Sequence, residues 1–351
     1  YNEIEVIIMQ KVTLGKTGIC VEQNAFGALP IQRVDKETAK TILLKAYNNG
    51  IKFFDTARAY SDSEEKIGYA FEGLDRSSYY IATKTMAKTV DEFWDQLHTS
   101  LTLLKTDYID IYQFHCASKV FKPNDGTGMY EAMLEAKEQG KIRHIGITAH
   151  LLNIANEAIE SDLYETLQFP FSYLASDKEV DLVKKCKEHN MGFIAMKGLA
   201  GGLLNKPNAC MAFMSQFDNV LPIWGIQKEC ELDQWLSFFD CTPVLDDEMN
   251  AFIKKEKDAL AGDFCRGCGY CMPCPMEITI NQCARMSLML RRAPSSAWLN
   301  EHWQKEMAKI ETCLECGKCS SKCPYQLNTP ALLKKNLEDY KKVLAGEVKV
   351  Q

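Results

Sequence analysis

The sequence predicts an α/β protein, a (β/α)8 barrel (TIM barrel) followed by a small, mostly helical, cysteine-rich domain. Between about residues 20 and 240, short β-rich runs alternate eight times with amphipathic runs, as in parallel strands joined by crossover helices. After about residue 245 the composition changes, and eight of the fifteen cysteines form two clusters there. We therefore predict a barrel over residues 9–245 and a second domain over residues 246–351.

The barrel strands are predicted from runs of β-branched and aromatic residues, and the helices from the residues that begin and end them. Ser63, for example, begins a helix that ends near Gly73. The eight predicted strands are Val21–Phe26, Lys52–Asp55, Tyr80–Lys84, Tyr108–His115, His144–Thr148, Thr166–Pro170, Gly192–Lys197 and Pro222–Gln227.

Composition narrows the class of protein. Of the 351 residues, 46% are hydrophobic and 25% are charged, which is typical of a globular chain and excludes a disordered one. The net charge of -6, without a long Lys/Arg run, argues against nucleic acid and anionic membrane surfaces as partners. No apolar stretch is long enough to span a membrane, and the N-terminus lacks a signal-peptide pattern, so we expect a cytoplasmic protein. Tyr1–Ile8, which precede Met9, are left out of the fold prediction.

The two cysteine clusters indicate iron–sulfur ligation. Three thiolates at two-residue intervals can hold three corners of one 4Fe-4S cube, and a fourth cysteine before proline then ligates the other cube. The second cluster has the spacing of bacterial ferredoxins, whereas the first has one residue fewer before its last cysteine. The motifs are Cys265-x-x-Cys268-x-x-Cys271-x-x-Cys274-Pro275 and Cys313-x-x-Cys316-x-x-Cys319-x-x-x-Cys323-Pro324. The expected ligand sets are Cys265, Cys268, Cys271 with Cys323, and Cys313, Cys316, Cys319 with Cys274.

Zinc is the alternative for these cysteines, because tetrahedral zinc sites also take four thiolates. Zinc sites usually draw their ligands as two C-x-x-C pairs, however, and two triplets followed by Cys-Pro favour iron–sulfur clusters. Seven further cysteines follow no ligand spacing and are predicted to be core or surface residues, with Cys116 set apart because it follows His115: Cys20, Cys116, Cys186, Cys210, Cys230, Cys241 and Cys283.

Four polar residues mark the predicted active site. In a (β/α)8 barrel, chemistry takes place at the carboxyl ends of the strands. Asp55, Lys84 and His115 end the second, third and fourth predicted strands, and Tyr60 lies in the loop after the second. A strand-end lysine or a lone histidine is weak evidence by itself, but four complementary side chains at successive strand ends predict a catalytic site.

These segments carry a family resemblance. Residues of about 10–240 resemble the aldo-keto reductase barrel, and with the cysteine motifs the chain resembles the members that have a C-terminal two-cluster ferredoxin domain. The resemblance implies a catalytic tetrad of Asp55, Tyr60, Lys84 and His115. The matching segments are Asp55-Thr56-Ala57-x-x-Tyr60 with Glu64 and Gly68, Lys84, Asp107-Tyr108-Ile109-Asp110 with His115, and Lys141-x-Arg143-x-Ile145-Gly146.

The chemistry of carbonyl reduction suits these residues, because it needs a proton on oxygen as well as a hydride on carbon. Tyr60 would be the general acid in reduction and the base in oxidation. The Lys84 ammonium is expected to lower the pKa of Tyr60, and Asp55 to hold Lys84 charged. His115 would orient or protonate the substrate oxygen.

The resemblance also implies that a nicotinamide binds across the barrel mouth. Glycines after the seventh strand would admit a phosphate, and Glu231, near the position of the usual phosphate-binding arginine, favours NAD over NADP. A flavin is compatible as the converter between hydride and single electrons. The implied cofactor-binding residues are Thr148, Gln168, Met196, Gly198, Gly201, Gly202 and Gln227.

Three functions remain open from the sequence. The first is an oxidoreductase for a small-molecule carbonyl or alcohol that relays electrons through two 4Fe-4S clusters, with a redox partner protein compatible with that role. The second is a conventional NAD(P)H-dependent reductase whose clusters are structural. The third is an electron-transfer subunit that uses the barrel as a scaffold. The residues do not predict the substrate's identity.

Overall fold

A computed structural model describes residues 8–260, 264–292, 294–323 and 325–350 of the chain. Pro324 of the second cysteine motif and residues 1–7 of the excluded N-terminal stretch lie outside the described residues. The chain divides into two compact units. The first reaches Gly198 and resumes over Pro207–Asp246, and the second comprises Leu199–Lys206 and the chain from Asp247 onward.

An antiparallel hairpin of β1 (Lys11–Thr13) and β2 (Cys20–Glu22) precedes the barrel. The prediction of one strand over Val21–Phe26 is wrong, because the chain leaves the hairpin and enters the first barrel strand within that run. Buried Gln23 marks the break, since its side-chain amide donates to the carbonyls of Met214, Phe217 and Val220. The polar residues Glu22, Gln23 and Asn24 stand between apolar ends, and a pattern this short does not show whether one strand or two pass through it.

The first unit contains a closed barrel of eight parallel strands, as predicted. Consecutive strands pair, and the last closes on the first with Ile223 opposite Ala25. Hairpin residues such as Val12 and Val21 pack against Ile111 and Leu221 in one buried cluster. The strands are β3 (Ala25–Gly27), β4 (Phe53–Asp55), β5 (Tyr80–Thr85), β6 (Ile109–Phe114), β7 (Ile142–Thr148), β8 (Thr166–Pro170), β9 (Gly192–Met196) and β10 (Val220–Gly225).

Helices connect successive strands of this barrel. The first begins after Asp35, whose carboxylate accepts a hydrogen bond from the Thr38 amide at 2.9 Å, an N-cap typical of Asp. The second begins at Ser63, as predicted, and packs so closely that a methyl group on Gly68 would lie 2.1 Å from the carbonyl oxygen of Leu103. The helices are α1 (Lys36–Asn48), α2 (Ser63–Ala70), α3 (Val90–Leu104), α4 (Met129–Glu138), α5 (Leu152–Ser161), α6 (Asp177–Glu188), α7 (Pro207–Met214) and α8 (Glu229–Ser237).

The second unit is helical and has its own core. Met286, Met307, Leu333 and Tyr340 are among the buried residues of one apolar cluster, against which several motif cysteines pack. Its helices are α9 (Asp247–Ala259), α10 (Ile280–Cys283), α11 (Met286–Arg292), α12 (Glu301–Ala308), α13 (Lys318–Ser321) and α14 (Thr329–Leu344). Among the described residues, no helix has the length and apolar character needed to cross a membrane.

Candidate active site and cysteine cavities

The four predicted catalytic side chains come together at the carboxyl ends of the barrel strands. Asp55 ends β4, Lys84 lies one residue before the end of β5, and His115 directly follows β6. Tyr60 lies in the loop between β4 and α2. The Lys84 ammonium nitrogen is 5.3 Å from the centre of the Tyr60 ring, and the Tyr60 and His115 ring centres are 5.7 Å apart.

Lys84 and Asp55 form a buried ion pair. The Lys84 Nζ donates to both carboxylate oxygens of Asp55, at 2.6 and 2.7 Å, and to the carbonyl oxygen of Thr56 at 2.5 Å. Burial raises the pKa of Asp55 and lowers the pKa of Lys84, and the attraction between the two charges opposes both shifts. All three ammonium protons have acceptors, so Lys84 is held in one orientation.

Tyr60 has a raised pKa, which differs from the expectation that Lys84 lowers it. Burial is the main cause, and the negative charges of Asp55 and Cys116 add to it. Lys84 directs its donors at Asp55 and Thr56, so none is left for the phenol oxygen. Among the described residues, nothing hydrogen-bonds to the Tyr60 hydroxyl. The site therefore presents a neutral phenol whose proton is available to an incoming oxygen atom.

His115 is neutral at physiological pH. Burial, and secondarily the charge of Lys84, lower the pKa of His115 to about 3. Its Nδ1 atom is buried and has no hydrogen-bond partner in the part of the chain that the structure describes. A neutral imidazole can donate one hydrogen bond, so His115 is suited to orienting a substrate oxygen rather than to protonating it.

The low pKa of His115 predicts a pH dependence of stability. Below about pH 6.5 the histidine binds a proton in the unfolded chain but stays neutral in the folded one. The contribution of His115 to the free energy of unfolding is therefore full above pH 6.5 and is lost as the pH falls towards 3. The free energy of unfolding of the wild type should change with pH by up to about 1.4 kcal/mol per unit because of His115, and His115→Asn should remove this dependence. Urea unfolding between pH 4 and 7 measures the free energy, and substitution of the exposed His98 in His98→Asn is the control. Parallel curves for wild type and His115→Asn would contradict the assignment.

Sequence reasoning missed Gln113. Its Nε2 donates to Gln168 Oε1 at 2.9 Å, and Gln168 Nε2 donates to Asp55 Oδ1 at 3.4 Å, so an amide chain supports the ion pair. The available signal was the period of two along β6, which places Gln113 and His115 on the same inward-facing side.

A second buried polar group supports the site from the helix side of the strands. Glu64 is 1% exposed and accepts from Thr83 Oγ1 at 2.6 Å and from Ser100 Oγ at 2.8 Å. It also forms an ion pair with Arg58 of the β4–α2 loop. Glu64 therefore anchors the loop that carries Tyr60.

The predicted nicotinamide-ring contacts are mostly engaged within the protein. Thr148 is 1% exposed, and its hydroxyl accepts from the Cys116 amide at 2.7 Å. Gln168 is equally buried and bonds to Gln113 and Asp55. Met196 is half-buried and packs against the barrel core. Of the three, Met196 is the side chain most open to a ligand.

The predicted phosphate-binding glycines lie in different surroundings. A methyl group on Gly198 would lie 2.5 Å from the Trp224 ring, so this glycine admits the indole. A methyl group on Gly201 would lie 2.7 Å from the guanidinium of Arg285, a buried residue of the same, second unit. Gly202 has open space around it and a φ of +91°.

The amide groups at the start of α8 are already bound. The Glu231 carboxylate accepts from the backbone amides of Gln227 and Lys228, at 3.0 and 3.2 Å. The side-chain oxygen of Gln227 faces Arg33 Nη1 at 3.5 Å. A helix N-terminus after the last barrel strand is a common phosphate site, and here an internal carboxylate binds the two amides that directly precede the helix.

The motif cysteines line two cavities of the second unit. The first is lined by Cys265, Cys268, Cys271 and Cys323, together with apolar residues. The second is lined by Cys274, Cys313, Cys316 and Cys319, and also by Cys271. The last cysteine of each motif therefore lines a cavity together with cysteines of the other motif.

These cavities offer thiols and apolar walls, which is the donor set of an iron–sulfur cluster. Burial raises the pKa of Cys271 to about 12, with further contributions from Cys265, Cys268 and Cys319, which shows how near these sulfurs lie. Among the described residues, no three His, Cys, Asp or Glu side chains approach as closely as the ligands of a single metal ion.

Comparison with known proteins matches both units. The model of the aldo/keto reductase family matches residues 23–234, and the model of a 4Fe-4S dicluster domain matches residues 264–328. The uncharacterized oxidoreductase YqkF of Bacillus subtilis is 30% identical over 212 residues, which are 56% of this chain and 67% of that protein. The methylglyoxal reductase DkgB of Salmonella typhi is 33% identical over 183 residues, 49% of this chain and 66% of that protein.

Solved structures share the barrel fold. An aldo-keto reductase from Bacillus halodurans, in its holo form, has a TM-score of 0.62 and 23% identity, and the match covers 70% of this chain and 96% of that one. An aldo-keto reductase from Klebsiella pneumoniae, in complex with NADPH, has a TM-score of 0.61 and 22% identity, covering 72% and 96%. The chain spans about two thirds of the length of the curated relatives it matches.

Proposed function

Because the chain belongs to the aldo-keto reductase family of oxidoreductases and carries a 4Fe-4S dicluster domain, we propose that it interconverts small-molecule carbonyls and alcohols with electrons relayed through two clusters. The observation that carries the proposal is the neutral phenol of Tyr60, without a hydrogen-bond partner among the described residues, beside His115 and the Lys84–Asp55 ion pair.

In the reduction direction, Tyr60 donates its phenolic proton to the substrate oxygen as carbon is reduced. The neutral imidazole of His115 orients that oxygen through one hydrogen bond. Once the proton has left, the phenolate lies beside the Lys84 ammonium, which Asp55 and Thr56 keep in place and which stabilises the new negative charge. In the oxidation direction the same phenolate takes the proton back.

The cysteines of the second unit would hold two clusters. Cys265, Cys268, Cys271 and Cys323 would ligate one, and Cys274, Cys313, Cys316 and Cys319 the other, since these are the sets that line the two cavities. Such clusters supply one-electron transfer. Because Cys271 and Ile280 line both cavities, the two groups would be neighbours.

A nicotinamide is the hydride donor that the family resemblance implies, and a flavin is the group that would exchange hydride for single electrons. For this chain we propose NADH rather than NADPH. The carboxylate of Glu231 binds the two amides that precede α8 and would repel a 2′-phosphate there. Met196, in the first unit, is the predicted contact that remains most open to such a ligand.

This proposal predicts the order of nucleotide affinities. We expect NADH to bind at least about tenfold more tightly than NADPH, which corresponds to about 1.4 kcal/mol. Glu231→Gln should narrow the difference by strengthening NADPH binding alone, because it removes the repelling charge. Calorimetric titration of the holoenzyme measures the affinities for NADH and for NADPH, and Glu229→Gln on the same helix is the control. Equal affinities in the wild type would contradict the role of Glu231.

A conventional nicotinamide-dependent reductase with structural clusters is the second candidate. It is favoured by the similar structure in complex with NADPH and by the intact tetrad. Cys316→Ser separates the two candidates, because it removes a predicted cluster ligand without touching the barrel. If the clusters relay electrons, this variant should lose carbonyl reduction driven by a one-electron donor. If the clusters are structural, the variant should be less stable, but its NADH-driven reduction of methylglyoxal and other small aldehydes should continue unchanged.

A further inference from the structure

The second cysteine cavity reaches the surface at Cys316. This cysteine is exposed, whereas the four that line the first cavity are only partly exposed. Leu314, two residues before Cys316, lines the same cavity and is 66% exposed. Electron transfer between proteins falls steeply with distance, so it favours the more exposed of two redox groups.

Two of the carboxylates near this opening are compensated. Glu311 precedes the motif and Glu315 lies within it, and each forms an exposed ion pair with a lysine of α14, at 2.5 Å. The pairs are Glu311 with Lys341 and Glu315 with Lys334. Glu277, which follows the lining residue Met276, is exposed and forms no ion pair with any described residue.

The lysines at the opening have no such compensation. Lys318 and Lys322 are exposed, and neither forms an ion pair with any residue that the structure describes. Lys318 lines the cavity itself, and Lys322 directly follows α13, four residues further along. Two unpaired lysines against one unpaired carboxylate leave this surface weakly positive, although the whole chain has a net charge of -6.

We propose that this surface, defined by Leu314, Cys316, Lys318 and Lys322, is the docking site of a small electron-carrier protein with an acidic surface. The proposal rests on the proposed function, because it requires a cluster in the second cavity. The overall charge of the chain would favour a basic partner, but the local charge decides which partner can approach Cys316 closely. Small, transient interfaces are usual for such encounters, and electrostatic attraction sets their rate.

The step is a single electron transfer. The reduced centre of the carrier would lose one electron and a cluster held by Cys316 would gain it, and no atom or proton would move. A cluster in the other cavity could then accept the electron, since Cys271 and Ile280 line both cavities. Two successive transfers from two carrier molecules would supply an electron pair, which a flavin or NAD⁺ would take up with one proton as the hydride that one carbonyl reduction consumes.

Stopped-flow kinetics with the anaerobic holoenzyme test the proposal. One probe is the hydroquinone of an acidic flavodoxin, whose oxidation is seen as its blue semiquinone, and the other is the reduced methyl viologen cation. For the wild type we expect added salt to slow reduction by flavodoxin. Charge reversal in Lys318→Glu/Lys322→Glu should slow reduction of the holoenzyme by flavodoxin about tenfold or more at low salt, and it should not slow reduction by the viologen. Lys178→Glu/Lys184→Glu on α6 makes the same charge change elsewhere as the control.

Each outcome decides the question. The proposal is overturned if salt does not slow reduction of the wild type by flavodoxin, or if both charge-reversed variants slow it equally. Equal slowing of flavodoxin and viologen in Lys318→Glu/Lys322→Glu would indicate a damaged cluster and would also overturn it. If that variant does not take up iron, Lys318→Gln/Lys322→Gln and the salt dependence of the wild type still give the answer. Visible absorption and iron content are recorded first, because a wild type without clusters contradicts the proposed function instead.

Discussion

Replacing Tyr60 with Phe should lower kcat for carbonyl reduction by about a hundredfold to ten-thousandfold, the range that a general acid contributes. The ring remains, so the packing against His115 is kept and only the proton is lost. Because Tyr60 lies in the barrel and the cysteines lie in the second unit, the visible absorption of the clusters should not change. Steady-state kinetics with a panel of small aldehydes measure the loss.

The matched control for this substitution is Tyr69→Phe. Tyr69 lies in α2 and donates to Glu37 at the surface, so removal of its hydroxyl should leave turnover within a factor of about two. A Tyr60→Phe enzyme that keeps full activity would remove Tyr60 from the mechanism. A simultaneous loss of iron would show that the substitution disturbs the fold rather than the proton transfer.

Replacing Cys274 with Ser should remove the cluster of the second cavity and leave the first. The variant should contain about half of the iron and sulfide of the wild type, about four of eight atoms each. The physical reason is the crossed grouping, in which Cys274 lines a cavity with Cys313 and Cys319 although it belongs to the first motif. Iron analysis and electron paramagnetic resonance of the reduced protein measure the change, with the exposed Cys241→Ser as the control.

Double substitutions test which cysteines ligate the same cluster. If Cys274 and Cys313 ligate one cluster, replacing both should remove no more iron than replacing either one. Replacing Cys274 together with Cys265 should remove nearly all of the iron, because each belongs to a different set. The reverse pattern, with Cys274 and Cys265 behaving as one unit, would show that each motif binds its own cluster.

The sequence predicts the barrel and the place of its tetrad because parallel strands bring their carboxyl ends to the same rim. Asp55, Lys84 and His115 end three successive predicted strands, so their meeting follows from the fold class. The crossed ligand sets are likewise predicted from the spacing within each cysteine motif. In both cases a local pattern identifies a known arrangement, and that arrangement then brings distant residues together.

Other features depend on contacts between distant residues and could not be predicted. The raised pKa of Tyr60 depends on its burial and on the hydrogen bonds that Lys84 donates to Asp55 and Thr56 rather than to the Tyr60 hydroxyl. Leu199–Lys206 follows a barrel strand in the sequence but groups with the second unit. The division of Val21–Phe26 depends on carbonyls nearly two hundred residues away that accept from Gln23. In each case a tertiary partner overrides the local pattern.

The central claim is that the clusters deliver electrons to the chemistry of Tyr60. It is tested most directly by reducing the anaerobic holoenzyme with methyl viologen, removing the excess, and adding a substoichiometric amount of NAD⁺ with methylglyoxal and other small aldehydes. We expect the visible iron–sulfur absorption to return as alcohol forms, with one alcohol for every two cluster electrons, and we expect most of the absorption to stay bleached in Tyr60→Phe. Clusters that stay reduced while NADH drives alcohol formation in the same protein would contradict it.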